Sequence, residues 1–287
     1  MFICGKFMTK YCKYILSCCV IIYIGINNVL GQIYAQDDRK GKEPAFTSGE
    51  QLDYVVSYKI GFINVDVATV NFSVTNATVN GEDTFHVKAI GQVRPQYTWF
   101  YNLYDVYDVW LEKSTLRPVY FENDLREGDY RYKSNYVYDW NNMLAKTKSY
   151  YLSRGTEREK IFPITELSYD AVALFFNMRS INLDKNIEGV PYPLEVVFAD
   201  TVRKIQYRFM GREEKNIKGI GKFKALKYVC QLANASGDSF IDGSEFTIWI
   251  SDDRNRIPIY VESPIRVGSV RVRLSAYSGL KYSLKLK

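Results

Sequence analysis

Beyond Gln51 apolar and polar residues alternate with period two through almost the whole chain, the pattern of strands that bury one face only. In the first part of the chain the alternation predicts strands at "YVVSYKI", "VDVATVNFSVT", "FHVKAIG", "YDVYDVWLE", "RPVYFE", "DYRYKSNYVYD" and "LAKTKSYYL". Gly61–Asn64 and "NGED" (Asn80–Asp83) mark the first turns. A second series follows at "PLEVVFA", "VRKIQYRFMG", "FKALKYVCQLA", "EFTIWIS", "IPIYVES", "SVRVRLSAY" and "KYSLKLK". Seven strands are expected in each series. Short, evenly spaced strands with Gly, Asn and Asp at their turns imply a mainly β fold, with antiparallel sheets forming a sandwich or a partly open barrel.

One segment breaks this rhythm. In "ELSYDAVALFFNMRSI" (Glu166–Ile181) the apolar residues Val172, Leu174, Phe175 and Met178 follow helical spacing, and Ser168 or Asp170 stands where an N-cap belongs. This helix is expected to connect two β halves, 36–165 and 182–287, packed as one unit, with 1–35 as an export signal.

The halves share a motif. "PVYFENDLREGDYR" (Pro118–Arg131) recurs as "PIYVESPIRVGSVR" (Pro258–Arg271), and a strand containing Trp110 or Trp249 precedes each copy. An internal duplication is the expected origin. Alternation explains most of the repeated residues. Pro118 and Pro258 open strands, where a missing N–H is tolerated. Gly128 and Gly268 fall in the turns, where a positive φ favours glycine. Glu122 is expected to face Arg131 across the hairpin, and Glu262 to face Arg271. Arg126 and Arg266 have no such structural role, which makes them candidates for touching a ligand.

The first residues add a location. Lys6, Lys10 and Lys13 precede the uncharged run "YILSCCVIIYIGINNVL", and Ala35 is a small residue placed for cleavage. A cleaved export signal is expected, and with it a periplasmic protein. The alternatives are an uncleaved anchor or lipid attachment at Cys18 or Cys19, as in a lipoprotein. Removing residues 1–35 takes three lysines and no acid from a chain of net charge +6, leaving +3. That mild, scattered charge is not the footprint of a nucleic-acid binder. Cys230 is the one cysteine beyond this segment, so the mature fold cannot rest on an internal disulfide.

Catalytic chemistry finds few residues. His86 is the only histidine, which excludes zinc sites built from several histidines. No metal or cofactor is expected. Its place in "TFHVKAI" puts it with Lys88 on the solvated face. Cys230 reads as a buried structural thiol. "DKNIEG" and "DSFIDGSE" lack the ligand order of a calcium loop, and "GIGKFK" leads into a strand instead of the helix a phosphate loop needs. "QYTWFYNLYDVYDVWLE" (Gln96–Glu112) sets Asp105, Asp108 and Glu112 among aromatics, as a carbohydrate-active hydrolase does. Asp105 and Asp108 differ by an odd number, however, and so fall on opposite faces of one strand. Trp99, Tyr101, Tyr104 and Trp110, with Arg126 and Arg266, are the candidate ligand contacts.

The export signal, the β-rich body, "REGDYR", "SYDAVALFF" and the closing "WISDDRNRIPIYVESPIRVGSVRVRL" together resemble the domain of unknown function 3108 family. That resemblance implies an exported β protein of Gram-negative bacteria and carries no activity or catalytic residues. The expected function is non-enzymatic binding of an apolar or extended ligand, or service to an envelope-assembly partner. A glycan ligand acted on by the Gln96–Glu112 carboxylates and a purely structural interaction module are the alternatives. Membrane association is expected only through an uncleaved signal or a lipid anchor.

Overall fold

A computed structural model describes residues 43–180, 186–198, 201–232 and 245–287. The expected export signal lies outside them. Eight strands come first: β1 (Gln51–Ile60), β2 (Ile63–Val79), β3 (Glu82–Val93), β4 (Leu103–Glu112), β5 (Pro118–Glu127), β6 (Tyr130–Asp139), β7 (Leu144–Tyr151) and β8 (Thr156–Pro163). A two-residue strand, β9 (Ser168–Tyr169), leads into the helix α1 (Ala171–Ser180). The second series is β10 (Pro191–Phe198), β11 (Thr201–Ile217), β12 (Gly221–Leu232), β13 (Phe246–Ser251), β14 (Pro258–Pro264) and β15 (Ser269–Ser278).

All fifteen strands form one sheet, in the order β8-β7-β6-β5-β4-β3-β2-β1-β15-β14-β13-β12-β11-β10-β9. Each series is an antiparallel meander, and the two meet where β1 pairs with β15. Only β9 runs parallel to its neighbour, with Ser168 opposite Glu195. The chain leaves the β8 edge at Pro163 and reaches the β10 edge within a few residues. Thr165 Oγ1 and Ser168 Oγ both donate to Glu195 Oε2, at 2.7 and 2.6 Å. The two ends of the sheet are therefore tied together by the chain itself, which curls the sheet around an interior.

The helix lies in that interior. Asp170 is its N-cap: Oδ1 accepts from the N–H groups of Val172 and Ala173 at 3.0 and 2.8 Å, satisfying donors that the first turn leaves open. Ser168, the other candidate cap, belongs to β9. Val172, Ala173 and Phe176 pack into the aromatic core of the first series, beside Phe46, Phe85, Tyr107, Phe121 and Tyr136.

Two strand expectations are corrected. β8 escapes the alternation pattern because "TEREKIFP" is exposed at every position except Phe162. An edge strand with a single buried residue carries no period-two signal, and its charges guard the open edge. "KYSLKLK" is not a strand. Its leucines cap a neighbouring cluster instead, Leu284 packing with the preceding Leu280 against the second core and Leu286 against Gly221.

The repeated motif keeps its entry and loses its symmetry at the turn. Trp110 stands opposite Tyr120 and Trp249 opposite Tyr260, and in both pairs the register shifts at the next residue, before Pro118 or Pro258. The hairpins then differ. β5 runs on to Glu127 and turns through Gly128 and Asp129, so Arg126 stands opposite Arg131 and Glu122 opposite Asn135. β14 stops at Pro264 and spans a four-residue loop, which sets Glu262 opposite Arg271. The expected Glu122–Arg131 pair is therefore absent: Arg131 Nη1 donates to the carbonyls of Gly128 and Tyr130, and Glu122 Oε2 accepts from Tyr120 at 3.1 Å. Glu262 does hold Arg271, at 2.8 Å from Nε and 2.6 Å from Nη2.

Candidate functional site

Helix α1 divides the interior unevenly. On its far side from the first core, a cavity of about 260 Å³ separates it from the second series of strands and from β1 and β2. Ala171, Leu174, Phe175 and Met178 line it, an i, i+3, i+4, i+7 stripe that presents one face of the helix. Opposite this stripe stand Leu194 on β10, Ile205 and Tyr207 on β11, Tyr228 and Cys230 on β12, and Ile248 and Ile250 on β13. These strand residues share the inward parity, so alternation alone supplies an apolar wall. Phe175 stacks on Phe72 of β2 at 4.7 Å between centroids, nearly parallel, and meets Tyr54 of β1 edge-on at 6.1 Å.

Few polar groups interrupt the wall. Burial pushes the Cys230 thiol up to about 12, so it stays a neutral apolar surface and no nucleophile. The Tyr54 hydroxyl is buried in the lining without a hydrogen-bond partner, and burial raises its pKa well above the usual phenol range. A buried, unsatisfied hydroxyl costs roughly 1–3 kcal/mol, so a polar ligand atom reaching it gains that much. Among the described residues Arg203 is the one cation in the lining. It belongs with Phe198, Leu232, Phe246 and Ser263 to the strand ends on one side of the sheet, where β10, β12 and β14 finish and β11 and β13 begin.

The helix is held over this cavity by an ion pair. Arg179 lies near its C-terminal end and binds Glu50, just before β1, through both guanidinium Nη atoms. Arg179 Nε also donates to the Asn255 carbonyl in the β13–β14 loop, at 3.1 Å.

None of the six residues singled out as ligand contacts lines the cavity. Trp99 projects from the β3–β4 loop, 83% exposed. Tyr101 is buried and its hydroxyl donates to Glu127 Oε2 at 3.5 Å. Tyr104 and Arg126 meet on the outer face, opposite each other on β4 and β5, and Arg126 pairs with Asp124 at 2.8 Å. Trp110, also outward, stacks under His86 at 4.5 Å. Arg266 sits exposed in the β14–β15 loop.

The carboxylates divide as their odd spacing predicts. Asp105 points inward and is buried; burial first, and then the neighbouring Glu127, push it up to about 7, although the Arg126 N–H donates to its Oδ1. Asp108 points outward, where His86 Nε2 and Lys88 Nζ hydrogen-bond it at 2.7 and 3.0 Å, and it lies below the usual carboxylate range. Glu112 is engaged by Ser114 and Thr115 in the next turn. These acids face three different surroundings and do not flank a common space.

Sequence reasoning missed the cavity residues of the second series because each looks like ordinary core. The available signal was the helix, whose two apolar faces exceed what a connector on one side of a sheet requires.

Comparison with known proteins places this architecture. A β-barrel-like protein of the domain of unknown function DUF1849 from Brucella abortus superposes with a TM-score of 0.53 at 9% identity, over 83% of this chain and 100% of its own. A Bacteroides fragilis protein, named as exported and of YmcC-like fold, matches at a TM-score of 0.35 and 9% identity, over 82% of this chain and 100% of its own. The first likeness supports the fold alone, and the second is too distant to carry an argument. No curated protein matches the chain. The model of a protein family of unknown function, DUF3108, matches residues 53–275, and the chain belongs to that family.

Proposed function

We propose that this chain is an exported β protein that holds the apolar part of an amphiphile, such as an acyl chain, in the cavity beside α1, and performs no chemistry on it. One observation carries this reading: a space of about 260 Å³ walled by leucine, isoleucine, valine, methionine and aromatic side chains, with Arg203 where the strands end. Engineered apolar cavities of about 150 Å³ already hold benzene, and ligand pockets start near 300 Å³. Arg203 is placed to face an anionic head group, while the Tyr54 hydroxyl offers a hydrogen bond deeper in the lining. Cys230, the one thiol in the wall, is neutral, and the described carboxylates of the Gln96–Glu112 stretch lie elsewhere. The basic, apolar N-terminal segment supports export to a compartment where such amphiphiles are handled.

The test is uptake of a fluorescent fatty-acid analogue in solution. Saturable uptake is expected, and filling the cavity with M178W/I205W should abolish it without lowering the melting temperature. R203A should weaken a fatty acid and leave the alcohol of equal chain length unaffected. Absence of saturable uptake, or uptake unchanged in M178W/I205W, overturns the reading.

A further inference from the structure

Four large apolar side chains stand exposed on two neighbouring hairpin tips. Ile60, Phe62 and Ile63 occupy the β1–β2 turn, and Val267 the β14–β15 loop; Phe62 is 97% exposed. The tips are locked together. Tyr58 donates to the Val267 carbonyl at 2.6 Å, and Gly268 passes so close to β1 that an added Cβ would lie 2.0 Å from the Lys59 carbonyl oxygen. A third loop adjoins them: the Arg94 N–H donates to the Val67 carbonyl at 2.9 Å, and Trp99 projects from the same loop. Residues 59–64, 94–102 and 264–268 contain Lys59, Arg94 and Arg266 and no carboxylate, and of these Arg94 is paired with Asp66 of β2 at 3.7 Å.

We propose that these tips dock the protein on an anionic lipid bilayer. Isolated exposed hydrophobics are common, but several on one projecting edge mark an interaction surface. The chemistry selects the partner. Apolar and aromatic side chains enter the boundary between head groups and acyl chains, while adjoining cations meet anionic phosphates. Two tips of a few residues each fall short of the roughly 20–30 residues per side that a stable protein interface employs. They suit insertion between lipids, which requires depth and not area.

The position of the tips gives the docking a use. Ser263 and Val270 flank the β14–β15 loop and also line the cavity. The docked edge is therefore the edge at which the cavity reaches the strand ends, so an amphiphile can pass between bilayer and cavity. That use rests on the reading above; the docking surface itself does not.

The experiment uses the full chain with vesicles of equal parts phosphatidylcholine and phosphatidylglycerol. Because Phe62 is exposed, F62W should fold normally, as a thermal melt checks, and its added emission should be quenched by brominated lipids of the same composition. F62S/I63S and K59E/R266E should each lower vesicle partitioning by about tenfold, the latter effect shrinking at high salt. No added quenching in F62W, or partitioning unchanged in either double variant, overturns the proposal. Solution uptake in M178W/I205W contains no vesicles, so failure of the cavity reading registers separately.

Discussion

Arg179 and Glu50 form a bidentate ion pair with both side chains fully withdrawn from solvent, Nη1 to Oε1 at 2.5 Å and Nη2 to Oε2 at 2.9 Å. The guanidinium also lies over the Phe46 and Phe176 rings, 5.6 and 5.3 Å from their centroids. With the Asn255 carbonyl as its third partner, Arg179 joins α1 to the segment before β1 and to the β13–β14 loop. Desolvating two charges is expensive, and the paired geometry returns most of that cost only while both partners remain. R179M and E50L should each destabilise by roughly 3–5 kcal/mol, and R179M/E50L by less than the sum of its single changes. Urea denaturation of the four proteins checks this; additive losses would show that the pair is not coupled.

Asp105 makes stability depend on pH in a stated direction. Its carboxyl titrates near 7 in the fold and near 3.9 in an unfolded chain. Between those values the native state keeps a proton that the unfolded state has released, so stability falls as pH rises. The contribution is complete below about pH 4 and lost above about pH 7, a change on the order of 4 kcal/mol. D105N should flatten this stretch of the curve and exceed the wild type in stability at pH 8. Burial also raises Asp170 to about 7, so part of the slope should persist in D105N. An unaltered slope would place Asp105 in a wetter environment than its burial implies.

The repeated glycines should respond unequally. Gly128 has φ +56 with only a Tyr101 ring atom nearby, at 3.6 Å, whereas Gly268 has φ +89 and its Cβ would strike the Lys59 carbonyl. G128A should cost about 1–2 kcal/mol, the penalty of a left-handed alanine. G268A adds a clash with backbone that can be relieved only by separating β14–β15 from β1. Thermal melts should rank G268A clearly below G128A; equal losses would contradict the close approach.

The cap of α1 can be tested through its two acceptor bonds. D170A removes both and should cost on the order of 1–2 kcal/mol, whereas D170N keeps an oxygen at the same place and should lose much less. Because α1 supplies one wall of the cavity, D170A should also weaken amphiphile uptake relative to D170N.

Much of the fold was legible because strand character is local. The inward parity of Val87, Tyr107 and Phe121, the outward placement of His86, and the separation of Asp105 from Asp108 all follow from counting residues by twos. Pro118 and Pro258 begin strands, and Gly128 and Gly268 hold positive φ, as their chemistry requires. Alternation failed where it lacks meaning: on the edge strand β8, where Phe162 alone is buried, and in the C-terminal tail, whose leucines pack individually.

The sequence by itself determined which side chains face together, since period two and the helical stripe of α1 are properties of neighbouring residues. Tertiary structure alone decided the pairing register, the position of the helix and the existence of a cavity. Glu122 and Glu262 carry the same local signal, yet only Glu262 meets its arginine, because hairpin register depends on where each turn closes. The cavity arises in the same way. Arg179 and Glu50, 129 residues apart, hold α1 against one side of a curled sheet, and the space left on the other side belongs to no local pattern.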